Sequence, residues 1–151
     1  MKNFHFLNEL QQYLNTHYKE INYVKESVMD YKVASYIEQR QSPSFSEKLF
    51  YFVDLKNLQD TEVYKGAGMD RKLFSKIRSN PTYQPKKKTV FTLCFSLQLN
   101  LNEAESLLHS AGYTISTSHI LDLIIRYCIE HRIYDLYEVN LALSHYGLDP
   151  L

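Results

Sequence analysis

Asp60 to Ser79, DTEVYKGAGMDRKLFSKIRS, is the stretch that decides the fold. It divides into two short amphipathic segments around Gly66-Ala67-Gly68. Asp60 can cap the first, which carries Val63 and Tyr64 and ends near the glycines. Asp70 can cap the second, Arg71 to Arg78, in which Phe74 and Ile77 stand three residues apart on one face. A carboxylate at that position also suits the positive end of the helix dipole. Glycine tolerates the positive φ of a tight turn between helices, while Gly66 weakens the end of the first helix by about 1 kcal/mol relative to alanine. Asn80-Pro81 stops the second segment.

The same region concentrates charge. The 151 residues hold 17 basic and 17 acidic side chains, a net charge of zero. Between Lys65 and Lys88, however, Lys65, Arg71, Lys72, Lys76, Arg78, Lys86, Lys87 and Lys88 stand against the single acid Asp70, so this window is +7 and the remainder −7. A one-sided cationic cluster on a neutral chain is the footprint of a polyanion-binding face. Taken alone, a charge run on a helix is more often a solvated surface.

Outward from this segment the chain is predicted to be helical almost throughout. Residues 3–18 place Phe6, Leu7, Leu10, Tyr13 and Leu14 on one face, and Phe4 joins them as a second candidate interface or a lid on the core. Tyr31, Val33, Tyr36 and Ile37 can line a weaker helix before the boundary at Gln41-Ser42-Pro43. Ser44-x-x-Glu47 is a capping box ahead of Leu49, Phe50, Phe52, Val53 and Leu55, which predicts a helix over about 45–58. Downstream, Pro85 suits the first turn of a helix over 85–99, with Val90, Phe91, Leu93, Cys94 and Leu97 inward. Asn102-x-x-Glu105 opens the next helix, closed by Gly112. Ser118 to Glu130, and a helix from Asp135-x-x-Glu138 to Gly147, form a C-terminal hairpin.

Asp60 to Ser79 resembles the helix-turn-helix of the lambda-repressor-like, XRE-type DNA-binding families, and the resemblance extends over about 44–112, five helices in the family's order. Val63 with Tyr64, Gly68, Met69, Asp70, and Phe74 with Ile77 take the roles of the motif's apolar pair, turn glycine, following apolar residue, cap and second apolar pair. LCFSLQLNLNEAESLL looks like the family's following helix pair. The motif's fifth position is usually small. Tyr64 stands there opposite Phe74, so either the helices open slightly or the ring turns outward.

The resemblance implies an all-α fold with three parts. An N-terminal helical extension occupies 1–42, a lambda-repressor-like five-helix helix-turn-helix core 43–113, and the C-terminal hairpin 114–151. It also implies a sequence-specific double-stranded DNA-binding protein, a bacterial or phage transcriptional regulator whose helix 70–78 reads the major groove. By family position, Arg71, Lys72, Ser75 and Lys76 reach base edges, where arginine and lysine suit the guanine acceptors. Lys65, Arg78, Asn80, Tyr83, Lys86, Lys87 and Lys88 fall to phosphate contacts, which give affinity without sequence information.

The hairpin holds more apolar surface than two helices can bury on each other, which points to packing on the core or to a homodimer interface. Residues 89–151 carry seven acids against Arg126 and Arg132, and that acidic side is expected to turn away from DNA. The alternative function is a protein–protein interaction module in which the helix-turn-helix is a scaffold that regulates a partner effector. Tyr64 and the elaborate flanks favour it, whereas the phosphate-suited lysines favour DNA.

Other chemistry finds little footing. No P-loop, dinucleotide-binding or nucleophile-elbow motif occurs, so no catalytic residue and no cofactor are expected. The six histidines are dispersed, and Cys94 and Cys128 sit in apolar surroundings without C-x-x-C spacing, which speaks against a metal site or a disulfide. The 13 tyrosines and eight phenylalanines fit packing at core edges. With no apolar run near the ~20 residues of a membrane span, and an N-terminus unlike a signal peptide, a cytoplasmic location is expected.

Overall fold

The computed structural model describes residues 2–19 and 28–151, with side chains at 5–14 and 29–151. The Phe4 side chain and the segment 20–27 therefore lie outside the description. Among the described residues the chain is all-helical, and it divides into two compact units, 1–42 and 43–151.

The first unit pairs α1 (Lys2–Lys19) with α2 (Val28–Arg40). Tyr13 and Ala34 are its buried apolar residues, whereas Phe6 and Leu7 remain exposed. Of the residues read as lining α2, Tyr31, Tyr36 and Ile37 also face solvent and Val33 is half-buried. The helix forms as expected, but its inward contact is the small Ala34. Arg40 covers the Tyr36 ring at 4.2 Å, which shields that exposed aromatic face instead.

The second unit runs through α3 (Phe45–Leu55), α4 (Asp60–Gly66), α5 (Arg71–Ser79), α6 (Lys87–Ser96), α7 (Leu101–Ser110), α8 (Ile120–Glu130) and α9 (Leu136–His145). One core spans it, from Phe45 in α3 to Leu143 in α9. Ser44 caps α3 as expected, accepting from the Glu47 amide at 3.3 Å. The helix ends at Leu55, earlier than the expected 58, and Leu55 is exposed. Four other boundaries shift. Gln59, not Asp60, occupies the N-cap of α4, and Glu62 accepts from its amide at 3.0 Å. α6 begins two residues after Pro85, with Lys86 in the cap position. α7 is opened by Asn100 and Glu103 rather than Asn102 and Glu105. The same box pattern recurs two residues earlier, and here both reciprocal bonds form, at 2.9 and 3.0 Å. α8 likewise begins at Ile120 rather than Ser118.

The contact between α4 and α6 depends on Gly66. A Cβ there would stand 2.6 Å from Ser96 Oγ, and that hydroxyl donates to the Val63 carbonyl. The residue that reads in sequence as a cost to helix α4 thus leaves room for the Ser96 side chain of α6.

The C-terminal hairpin belongs to the same compact unit as α4 and α5. The Tyr134 hydroxyl donates to the Leu99 carbonyl at 3.1 Å. Asp122, only 2% exposed, accepts from Lys87 Nζ at 2.6 Å and from the Ser116 amide at 2.7 Å. A buried carboxylate with two donors is a fastening between the start of α6 and the start of α8. Cys94 and Cys128 are free, buried thiols. Burial pushes both thiols up from their ordinary range, with the Glu138 charge adding to the effect at Cys128. No group of three or more potential metal ligands occurs among the described residues, and no described helix is long and apolar enough to cross a membrane.

Candidate nucleic-acid interface

The site is α5, together with the turn before it and the loop after it. Its N-terminus is fixed by Asp70, whose Oδ1 accepts from the Leu73 amide at 2.7 Å. Gly68 makes the turn at φ 65°, the left-handed region that a side chain disfavours. Met69 follows it into the core. The inward face of α5 is Phe74 and Ile77, both buried, while Val63 of α4 is wholly buried beside them. At the C-terminal end the buried Ser46 hydroxyl, from α3, donates to the Ile77 carbonyl at 2.7 Å and so occupies one of the carbonyls a helix end leaves unpaired.

Aromatic rings wedge α5 against α3 and α4. Phe50 meets Phe74 edge-on at 5.3 Å, and Tyr64 lies tilted against Phe74 at 5.6 Å. Tyr64 is half-buried, so its ring neither fills the inter-helix contact nor swings free into solvent. It covers the flank of Phe74.

With that inner face anchored, Arg71, Lys72, Ser75 and Lys76 all project to solvent from the opposite face. Arg71, Lys72 and Lys76 take no ion pair among the described residues; Lys76 Nζ sits 5.8 Å from the centroid of the Tyr83 ring. All four residues expected at base edges are therefore brought together on one exposed face.

The seven residues expected at phosphate divide. Lys65, Lys86 and Lys88 are exposed and make no ion pair among the described residues. Lys88 lines a shallow recess with Met69 and Leu73, beside the N-terminal half of α5. Tyr83 is half-buried and lies beneath Lys76. Asn80 is half-buried too, and its Oδ1 accepts from the Thr82 amide at 3.1 Å and the Thr82 hydroxyl at 2.8 Å, so that oxygen holds the loop.

Arg78 and Lys87 are engaged with carboxylates of the protein itself, Arg78 at the surface and Lys87 half-buried. Arg78 Nη2 reaches both carboxylate oxygens of Asp60 at 2.7 Å, and the guanidinium lies 3.9 Å from the Phe50 ring centroid. That pair fastens α5 to α4. Lys87 is half-buried on Asp122. The lysine run 86–88 thus presents two of its three cations outward, because consecutive residues on a helix point in different directions.

Neither Asp60 nor Asp122 is legible as a partner from the sequence alone, since each lies far along the chain from its cation. The one available signal is an acid within the apolar run Ile120-Leu-Asp-Leu-Ile-Ile, which demands an internal partner if that run is buried. Among the described residues, Lys65, Arg71, Lys72, Lys76, Lys86 and Lys88 are six exposed cations without an ion pair, on α5 and on the segments that precede and follow it. Such cations can attract phosphate, and α5 can present donors to base edges.

Comparison with protein-family models returns no match. The same is true of comparison with curated proteins and with solved structures.

Proposed function

We propose that the chain is a sequence-specific double-stranded DNA-binding protein of lambda-repressor-like, XRE-type architecture, in which α3–α7 form the five-helix core and α5 reads the major groove. One observation carries this reading: α5 is fixed at both ends and along its inner face, yet Arg71, Lys72, Ser75 and Lys76 are left together on its outer face. A rigid helix with unengaged donors is what base readout requires. Lys65, Lys86 and Lys88 supply the phosphate contacts that set register. Arg78 and Lys87 drop out of the contact set and act on the fold instead. A role in transcription regulation follows from operator binding.

The experiment is fluorescence anisotropy with a duplex enriched from a random pool, set against bulk DNA, across about 50–200 mM salt. A sequence-specific reader keeps a large preference for the enriched duplex, while its affinity for both duplexes falls steeply with salt, by a logarithmic slope of about −0.9 per phosphate neutralised. No enrichment from the pool, with weak binding lost by physiological salt, removes DNA reading. It leaves the helix-turn-helix as a scaffold for a protein partner.

A further inference from the structure

Tyr83 brings an aromatic ring from the loop after α5 back to Lys76 on the helix's outer face. The ring is half-buried and packs against the core, and the Lys76 ammonium sits 5.8 Å from its centroid. The loop is built to keep it there. The Asn80 amide donates to the Lys76 carbonyl at 3.1 Å, and the Tyr83 amide to the Asn80 carbonyl at 3.0 Å. Beyond the ring, Gln84 Nε2 donates to the Ala111 carbonyl and the Tyr113 hydroxyl to the Pro85 carbonyl, both at 2.8 Å. Tyr83 is thus held between the end of α5 and the end of α7.

The contact singles out one of the residues assigned to base edges. Among the described residues, Arg71 and Lys72 have no aromatic ring beneath them. Elsewhere such contacts join near neighbours of one helix, as Lys48 with Tyr51 and Arg40 with Tyr36 do, or involve a cation that a carboxylate already engages, as with Arg78 and Lys87. At Lys76 a cation without an ion pair meets a ring carried by a separately anchored loop. A lysine has a long flexible stem, and settling it on a base costs rotamer freedom. A ring face attracts a cation within about 6 Å of its centroid, so part of that freedom is given up before a ligand arrives. Resting on the reading of α5 as the base-reading helix, we propose that Tyr83 is a positioning residue for Lys76. Its ring holds the ammonium ready for one base pair and so sets specificity at that position. A phosphate contact by Tyr83 would use the hydroxyl instead.

The test has two arms, and the first needs no DNA. In the proton–carbon NMR spectrum of the full chain, the ring current moves the Lys76 ε-methylene signal upfield of those of Lys65 and Lys72. Tyr83→Leu returns it to them, whereas Tyr83→Phe, which keeps the ring, does not. The second arm is anisotropy on the enriched duplex and on its single-base-pair variants. Tyr83→Leu weakens binding to the enriched duplex by about 2–5-fold and relaxes preference at the same base pair as Lys76→Ala, leaving the position read by Arg71 unchanged. Tyr83→Phe retains affinity and preference, and in a Lys76→Ala background Tyr83→Leu has no further effect on preference. Circular dichroism checks that each variant stays folded. A Lys76 signal level with the other exposed lysines overturns the proposal. So does a loss in Tyr83→Phe as large as in Tyr83→Leu, which would assign the hydroxyl to phosphate, and so do additive losses in the double variant. If no duplex enriches from the pool, the DNA reading fails and takes the role in readout with it. An unshifted Lys76 signal beside a duplex that does enrich overturns the positioning role alone.

Discussion

At Gly66 two effects of similar size oppose each other. Alanine gains about 1 kcal/mol of helix propensity over glycine, but its Cβ would displace Ser96 Oγ from 2.6 Å and break the hydroxyl's bond to the Val63 carbonyl, a loss of about 1 kcal/mol, while that carbonyl keeps its bond from the Ala67 amide at 3.0 Å. Gly66→Ala is therefore expected to be neutral or destabilising in the native background. With Ser96→Ala already in place it should stabilise by up to about 1 kcal/mol, since Ser96 Cβ lies at an ordinary 3.5 Å. Urea denaturation of the four members of this cycle gives the coupling, and additive effects would remove the steric explanation. Lys87 makes a second case. Its loss leaves the buried Asp122 carboxyl with only the Ser116 amide, so Lys87→Ala should cost about 3–5 kcal/mol. Lys86→Ala, on an exposed cation, should change stability by no more than about 0.5 kcal/mol. Equal thermal shifts in the two variants would contradict the inward assignment of Lys87.

At the scale of elements, α5 has nine residues and could not persist alone. Its order comes from Asp70, Ser46, the Asp60–Arg78 pair and the burial of Phe74 and Ile77. Asp70→Ala should cost about 1 kcal/mol and Ile77→Ala about 2–5 kcal/mol, both read by chemical denaturation. The α3–α7 contact adds a pH-dependent piece. Burial works against ionisation of Glu103, but the Asn100 amide and then the Lys56 ammonium at 2.9 Å outweigh it, and the carboxyl is held below its usual range. A carboxyl depressed on folding contributes stability that is full above its unfolded pKa, about 4.3, and is lost as the pH falls through the lower folded value. Glu103→Gln should flatten the stability–pH curve below about pH 4.3; an unchanged acid limb would show that the pair contributes nothing.

The elements themselves were largely legible in sequence because their signals are local: Ser44, Asp70 and Asp135 cap the helices expected of them. Boundaries slipped where two overlapping patterns compete within a few residues, as with Asn100–Glu103 against Asn102–Glu105. The six free cations followed from composition and helix periodicity. The engagement of Arg78 and Lys87 did not, because their partners lie 18 and 35 residues away and no local rule brings them together.

At the scale of the whole molecule, unit 43–151 joins two surfaces of different chemistry. One is the cationic face of α5, and the other is an apolar groove on the α8–α9 hairpin, lined by Ile120, Leu123, Tyr127, Leu141 and Tyr146 among others. The Lys87–Asp122 pair ties the helix after α5 to the helix that opens the groove, so the hairpin is built into the same core rather than appended to it. The central claim is that α5 reads bases while its neighbours hold phosphate. Anisotropy of Arg71→Ala and Lys86→Ala, each on an enriched duplex and on bulk DNA at fixed salt, tests it most directly. Arg71→Ala should cost about 1–3 kcal/mol on the enriched duplex and narrow its advantage over bulk DNA. Lys86→Ala should weaken both duplexes about equally and reduce the salt slope by about 1. Equal losses from the two variants on both duplexes would contradict the account.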